Sequence, residues 1–256
     1  MLLTVLGTAT PYPRPGNPCS GYLLEGDPDA NGERTAIWID AGSGTLAELQ
    51  RHIGLDRLDA IVISHRHADH SSDLLVAYYA LRFSELRPAG PIPLIAPEGM
   101  MERLADYLGP SSVGELPRVF DHRPMSGFGE TTIGSLLLSW GPVQHGVPAF
   151  GLTVEEGGRR FAYSGDSAPC LSLEEIGENA SLFLVEAGYD VAPGSGVAPA
   201  HHTPEDAGRT ATAAGAARLV LTHVAETVSG ESARQRASVH FGGDIDVAVP
   251  GLAIAF

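Results

Sequence analysis

The stretch Ala60-Ile61-Val62-Ile63-Ser64-His65-Arg66-His67-Ala68-Asp69-His70 decides the fold and the chemistry together. Its first four residues form an apolar, β-branched run that predicts a buried strand. Three imidazoles and a carboxylate follow within six residues. A soluble core gains nothing from crowding such groups at a strand end, where isolated histidines rarely cluster. Neutral imidazole and carboxylate are the ligands that borderline divalent metals prefer, and the absence of a nearby cysteine points to a reactive site. With alternate residues directed forward, His65 and His67 can grip one ion. Asp69 and His70, round the bend, can reach a second.

Two ions need about seven protein ligands besides water. Further histidine or carboxylate is therefore expected at the ends of later strands, and three positions qualify. His145 follows Gly141-Pro142-Val143-Gln144, Asp166 follows Phe161-Ala162-Tyr163-Ser164-Gly165, and His223 follows Leu219-Val220-Leu221-Thr222.

Around this framework the chain alternates strand-like runs with helices. Strands are predicted at residues 2–6, 22–25, 36–39, 60–64 and 91–96, around 119–120, and at 134–140, 151–155, 160–164, 181–186, 219–223, 245–249 and 252–256. Helical spacing covers 45–52, 73–86, 99–108 and 203–214, the last with Thr203 as cap and Pro204, Glu205 and Asp206 in its first turn. Glu156-Gly157-Gly158 marks a hairpin turn. No linker long enough to divide the chain appears, so residues 1–256 are expected to form a single α/β domain.

Composition narrows the partners. An apolar content of 43% with 18% charged residues is ordinary for a globular chain. All 16 basic residues are arginine, which removes lysine Schiff-base chemistry. A formal net charge of −15 disfavours long nucleic acids. It leaves room for a small, anionic substrate, because two divalent cations would reverse the sign locally. Cys19 and Cys170 form no C-x-x-C pair and suit a reducing compartment. Met1-Leu2-Leu3-Thr4-Val5-Leu6 is expected to be a first strand, not a signal peptide, and no apolar run approaches the ~20 residues that span a bilayer. The expectation is a cytoplasmic protein with no membrane partner, for which a homodimer is an allowed assembly.

The order His-x-His-x-Asp-His, then His, Asp and His at strand ends, resembles the metallo-β-lactamase superfamily of dinuclear hydrolases. The resemblance implies an αβ/βα sandwich of two mixed β-sheets flanked by helices, with metals at one edge. It implies that His65, His67 and His145 hold a first metal, that Asp69, His70 and His223 hold a second, and that Asp166 bridges them. Asp40, in Ile39-Asp40-Ala41-Gly42, matches the aspartate that supports the histidine loop. Within the superfamily the likeness is to the branch of ribonuclease Z and small phosphodiesterases. Leu3-Thr4-Val5-Leu6-Gly7-Thr8, the loop rich in proline at Pro11, Pro13, Pro15 and Pro18, Cys19-Ser20-Gly21-Tyr22-Leu23-Leu24, Tyr163-Ser164-Gly165-Asp166-Ser167 and His201-His202-Thr203-Pro204-Glu205-Asp206-Ala207 carry it. In that branch the first histidine of the last segment is a catalytic group that binds no metal, here His201. The pattern does not require His202, which is expected to face solvent at a helix start. Members that process transfer RNA carry a long arm between the third histidine ligand and the bridging aspartate. Here only about 20 residues separate His145 from Asp166, room for a hairpin. That departure makes the chain more similar to arm-less phosphodiesterases, including bacterial enzymes that degrade cyclic nucleotides, a likeness shared by the stretch from Asp40 to His52.

The implied chemistry is hydrolysis by a hydroxide shared between two ions about 3.5 Å apart, with zinc expected and manganese or iron(II) compatible. Asp69 would orient or deprotonate the attacking water and His201 would protonate the leaving alkoxide. Two rival readings stand beside the phosphodiesterase: a hydrolase of esters, lactones or thioesters on the same metals, and a metal-binding scaffold without catalysis. Gly42-x-Gly44 is read as a tight turn in preference to a phosphate cradle. Tyr12 and Arg14 are candidates for the pocket wall. The loops at 11–18, 110–124 and 188–200 would set the substrate.

Overall fold

Apolar runs buried on both faces build the central strands of the two sheets seen in a computed structural model, which describes residues 1–85 and 87–256. The first sheet contains β1 (Leu2–Gly7), β2 (Gly21–Glu25), β3 (Ala36–Ile39), β4 (Ala60–Val62), β5 (Ile92–Pro97), β6 (Phe120–Met125) and β14 (Ala253–Ala255), in the order β14-β1-β2-β3-β4-β5-β6. The second contains β7 (Gly129–Ile133), β8 (Leu136–Pro142), β9 (Phe150–Glu156), β10 (Arg159–Tyr163), β11 (Leu182–Glu186), β12 (Arg218–Thr222) and β13 (Asp244–Val247), ordered β13-β12-β11-β10-β9-β8-β7. Both are mixed. Strands β3 to β6 are parallel, as are β10 to β13, and the remaining neighbours are antiparallel.

Side chains leave a strand on alternate faces. In β3, Ile37 and Ile39 enter the core between the sheets, meeting Leu152, Phe161 and Leu184 of the second sheet. Ala36 and Trp38 point the other way, into a layer shared with α1 (Thr45–Leu49), α3 (Leu74–Phe83) and α4 (Met100–Leu108). The outer face of the second sheet packs Phe183 and Leu219 against α5 (Leu171–Ile176), α6 (Pro204–Ala213) and α7 (Gly230–Ser238). The expected αβ/βα sandwich of two mixed sheets is therefore the fold.

Several elements differ from the sequence reading. The helix after residue 73 ends at Phe83, and residue 86 of the expected span lies outside the described residues. The strand expected at 119–120 runs on to Met125, and β7 precedes β8 as a separate strand. Helices α2 (Ala68–Ser71), α5 and α7 have no counterpart in that reading. α7 buries only Ala233 and Ala237, too little apolar surface to leave a periodic signal. It can sit close because α6 presents Gly208, where a Cβ would lie 2.4 Å from the Ala237 carbonyl oxygen. Among the described residues no helix is long and apolar enough to cross a membrane.

Register places the chemistry. Ile39 lies opposite Val62, which brings Asp40 beside the end of β4. Tyr163 pairs with Leu184 and Glu186 with Thr222, so β10, β11 and β12 end together. Phe150 donates its N–H to the Ser64 carbonyl (3.0 Å), joining the ends of β4 and β9. The carboxyl ends of parallel strands from both sheets thus meet at one edge.

That edge is braced by Asp73, whose carboxylate accepts the N–H groups of Gly44 (3.0 Å) and Leu46 (2.7 Å). Asp73→Ala leaves both donors without their acceptor and is expected to lower stability by about 1–3 kcal/mol. Urea denaturation of the variant checks this, and an unchanged midpoint refutes it.

Candidate active site

The seven residues expected as ligands converge. His65 leaves β4 in the extended direction, its ring fully buried. His67 is the residue before α2, and Asp69 and His70 lie on that short helix. The loop is held down by close backbone contact: a Cβ on Gly42 would lie 2.1 Å from the Asp69 carbonyl oxygen, which itself accepts the Ser20 N–H (3.1 Å). Gly42 is therefore a seat for the histidine loop. His145 is fixed from the second sheet, where Ala168 donates its N–H to the Gln144 carbonyl (2.7 Å). Asp166 and His223 follow β10 and β12, and His223 takes a left-handed backbone (φ 49°) as the chain turns.

The donor atoms fall into two groups that share Asp166. His65, His67, His145 and Asp166 form one, and Asp69, His70, Asp166 and His223 the other, each with its ligand atoms within 4.8 Å of one another. His67 Nδ1 stands 3.1 Å from both His65 Nε2 and His145 Nε2. His65 Nε2 is 3.6 Å from one Asp166 oxygen, and His70 Nε2 is 3.2 Å from the other. His223 Nε2 lies 3.4 Å from Asp69 and 3.5 Å from Asp166. Nitrogen ligands about 2.0–2.1 Å from one zinc ion stand about 3.3 Å apart in a tetrahedron, close to these spacings. Among the described residues His70 Nε2 and Asp166 Oδ1 are buried without a hydrogen-bond partner. Buried polar atoms are rarely left so. The donor set fits metal ions.

Outer contacts fix which nitrogen faces inward. His70 Nδ1–H donates to Asp40 (2.7 Å), and His145 Nδ1–H donates to the Ala200 carbonyl (2.8 Å). Asp40, itself fully buried, also accepts the Ser64 N–H (2.7 Å), the Ser64 hydroxyl (2.8 Å) and the Tyr163 hydroxyl (2.8 Å). The electrostatics suit cations. Burial opposes ionisation of Asp166, but the charges of His223, His70 and His65 outweigh it and hold its carboxyl well below the usual range. Burial likewise acts against Asp69, and His223 and His70 pull its pKa down. Burial, aided by the charge of His70, keeps His65 well below an ordinary histidine.

His201 is brought to the same site. Its Nδ1–H donates to Glu186 Oε1 (2.9 Å), and its ring stacks on His223 with centroids 5.7 Å apart. Burial lowers its pKa, yet the hydrogen bond and charge of Glu186 raise it overall. Sequence reasoning missed Glu186. Its only signal was a carboxylate at the end of an apolar strand, fifteen residues from its partner. His202 corrects an expectation: it is fully buried and does not face solvent. Its ring bridges the Ser167 carbonyl (2.5 Å) and the Thr210 hydroxyl (2.9 Å), tying the Asp166 turn to α6. Tyr12 and Arg14 are both bonded to Glu226, and Arg14 lines a cleft that includes His223. Cys19 and Cys170 are unpaired.

Comparison with known proteins identifies the family. Residues 35–224 match the family model described as the beta-lactamase superfamily domain. The chain is 31% identical over 250 residues to uncharacterized protein Rv1339 of Mycobacterium tuberculosis, covering 96% of this chain and 89% of that one. It is 25% identical over 253 residues to the probable metallo-hydrolase YhfI of Bacillus subtilis, covering 98% of both. The YhfI crystal structure superposes with a TM-score of 0.83 over 99% of this chain and 98% of that chain, at 24% identity. Ribonuclease Z of Mycolicibacterium gilvum is 27% identical over 251 residues, covering 88% and 85%.

Asp40→Ala removes the acceptor that orients His70 and leaves four donors without it. The variant is expected to bind zinc about 10- to 100-fold more weakly. Competition with a chromogenic chelator measures this, and wild-type affinity would refute the role given to Asp40.

Proposed function

This chain belongs to the beta-lactamase superfamily as a metallo-hydrolase, and we propose that it is a two-metal phosphodiesterase acting on a small, anionic substrate in the cytoplasm. One observation carries the reading: two four-residue donor groups share the single carboxylate of Asp166. In the proposal His65, His67 and His145 hold one ion, Asp69, His70 and His223 hold the other, and Asp166 bridges them. Zinc suits this nitrogen and oxygen set, with manganese or iron(II) as alternatives. Bound divalent cations would polarise the phosphoryl oxygens and lower the pKa of a water molecule.

The chain's own residues supply the rest. Asp69, kept ionised, accepts the proton of the attacking water and orients it. His201 gives up Nδ1 to Glu186, which leaves Nε2 to protonate the departing alkoxide. The raised pKa of His201 keeps that proton available near neutrality. Substrate size is limited by what separates His145 from Asp166. The hairpin of β9 and β10 turns at Gly157-Gly158, both at positive φ (58° and 78°), with no arm to grip a long chain. The net charge of −15 acts in the same direction.

Bis-p-nitrophenyl phosphate, p-nitrophenyl acetate and a simple lactone separate the readings when offered to the zinc-loaded protein. Turnover of the phosphodiester at least an order of magnitude above the other two is expected. Preference for the ester or lactone would establish the rival hydrolase, and no turnover of any would establish the scaffold. His201→Ala is expected to lower kcat by about 10²- to 10⁴-fold with zinc content unchanged, as read by steady-state kinetics and metal analysis. Glu186→Gln removes the charge that raises the His201 pKa. The proton on His201 is then lost at lower pH, so the alkaline limb of the kcat profile should move down in pH. An unmoved limb would separate Glu186 from the acid step.

A further inference from the structure

The superfamily pattern does not require His202, and the proposed steps do not use it. Its side chain is nonetheless fully buried with both ring nitrogens engaged. Nδ1 lies 2.5 Å from the Ser167 carbonyl oxygen, and Nε2 lies 2.9 Å from the Thr210 hydroxyl. A carbonyl oxygen only accepts, so Nδ1 carries the ring proton and Nε2 accepts from Thr210. Burial holds the pKa of this ring below that of an ordinary histidine and favours that neutral form. An enclosed polar ring is costly unless it is fully bonded. An apolar side chain would carry no such cost, so the two bonds mark what this one does.

They hold the turn that follows β10. Ser167, next to Asp166, donates its N–H to Glu186 Oε1 (3.1 Å) while its carbonyl accepts from His202. Ala168 donates its N–H to the carbonyl of Gln144, the residue before His145 (2.7 Å). The same Glu186 oxygen accepts the His202 N–H (3.3 Å) and the His201 ring N–H (2.9 Å). The chain beyond Asp166 is thus gripped by the end of β11, by the His145 loop and, through His202, by α6. Aspartate has a single methylene between backbone and carboxylate, so its carboxylate follows its backbone closely. Asp166 Oδ1 has no hydrogen-bond partner of its own among the described residues, which leaves the turn to place it. Separations of 3.6 Å to His65 and 3.2 Å to His70 allow little movement before one donor group loses the shared carboxylate.

We propose that His202 is a positioning residue for Asp166, its ring tethering the turn to α6 so that the carboxylate spans both metal ions. The inference rests on the two-metal reading and adds to it a residue outside both donor groups.

Cobalt(II) loading of the full chain tests it, because the visible absorption of bound cobalt reports ligand number and geometry. The unmodified protein is expected to take up two equivalents in equilibrium dialysis followed by metal analysis. His202→Leu, which fills the position without hydrogen bonds, should bind the second equivalent about tenfold more weakly and show altered cobalt absorption. His202→Gln, which supplies one N–H donor and one carbonyl acceptor, should regain most of that affinity. Thr210→Val cuts only the far anchor and should give a smaller change in the same direction. Wild-type absorption and affinity in His202→Leu would overturn the proposal, even if the melting temperature falls. Should His202→Leu not fold, Thr210→Val decides, and wild-type values there would overturn it equally. Uptake of one equivalent by the unmodified protein would remove the two-metal reading and this role with it. Uptake of two, unaffected by either substitution, would remove the role of His202 alone.

Discussion

The buried carboxylate of Asp40 is the contact on which the rest of the edge depends. A charge with no solvent exposure is costly unless hydrogen bonds surround it, and Asp40 accepts four. Two come from Ser64 at the end of β4, one from His70 on α2 and one from Tyr163 on β10. The donors belong to both sheets, so satisfying one charge fixes the sheets against each other at the edge where the ligands lie. The same contact sets the His70 tautomer. Fold and chemistry are joined through one side chain.

The strand ends impose a second constraint. Parallel strands from two sheets deliver His65, Asp166, Glu186 and His223 within a few ångströms, and each needs a partner once water is excluded. Glu186 finds its partners internally: the N–H groups of Ser167 (3.1 Å), Gly188 (2.5 Å) and His202 (3.3 Å) and the ring of His201. Asp166 does not, since its Oδ1 has no hydrogen-bond partner among the described residues. The difference between these two buried carboxylates fits one for support, and leaves the other with an oxygen free for the proposed metal.

Much of this was legible in the order of residue types. Ala60–Val62 and Leu182–Val185 are apolar on both faces, as strands with helices on one face and the second sheet on the other must be, so the sandwich left a direct trace. The proposed ligands His65, Asp166 and His223 were legible because they stand just after such runs, and His67, Asp69 and His70 because they cluster beside the first of them. Glu186 closes one too, but its role depends on His201 across a fifteen-residue gap that no local pattern encodes. His202 was misplaced for a related reason. A helix start accounts for Thr203 and Pro204, but the direction of the preceding ring is set by Ser167, remote in sequence, and Thr210, about two helix turns past the cap. Helix α7 stayed hidden because two alanines against Gly208 suffice to dock it.

Charge balance at the site bears on which electrophile the proposed centre serves. Asp40, Asp69, Asp166 and Glu186 are all buried and carry four negative charges when ionised. Two divalent cations would cancel those charges. The remaining histidines are neutral when they ligate, while Glu186 favours the imidazolium of His201. Before the attacking water loses its proton, one positive charge is then left over, at strand ends where solvent screens it less than in bulk water. A phosphodiester carries one negative charge and matches it, whereas a neutral ester or lactone leaves it uncompensated. The acidity of the chain, −15 overall, disfavours anions at the surface as a whole. An anion that is small enough to reach the strand ends therefore meets the one region of the surface whose sign the proposed cations invert, and a long polyanion must also contact the regions they do not.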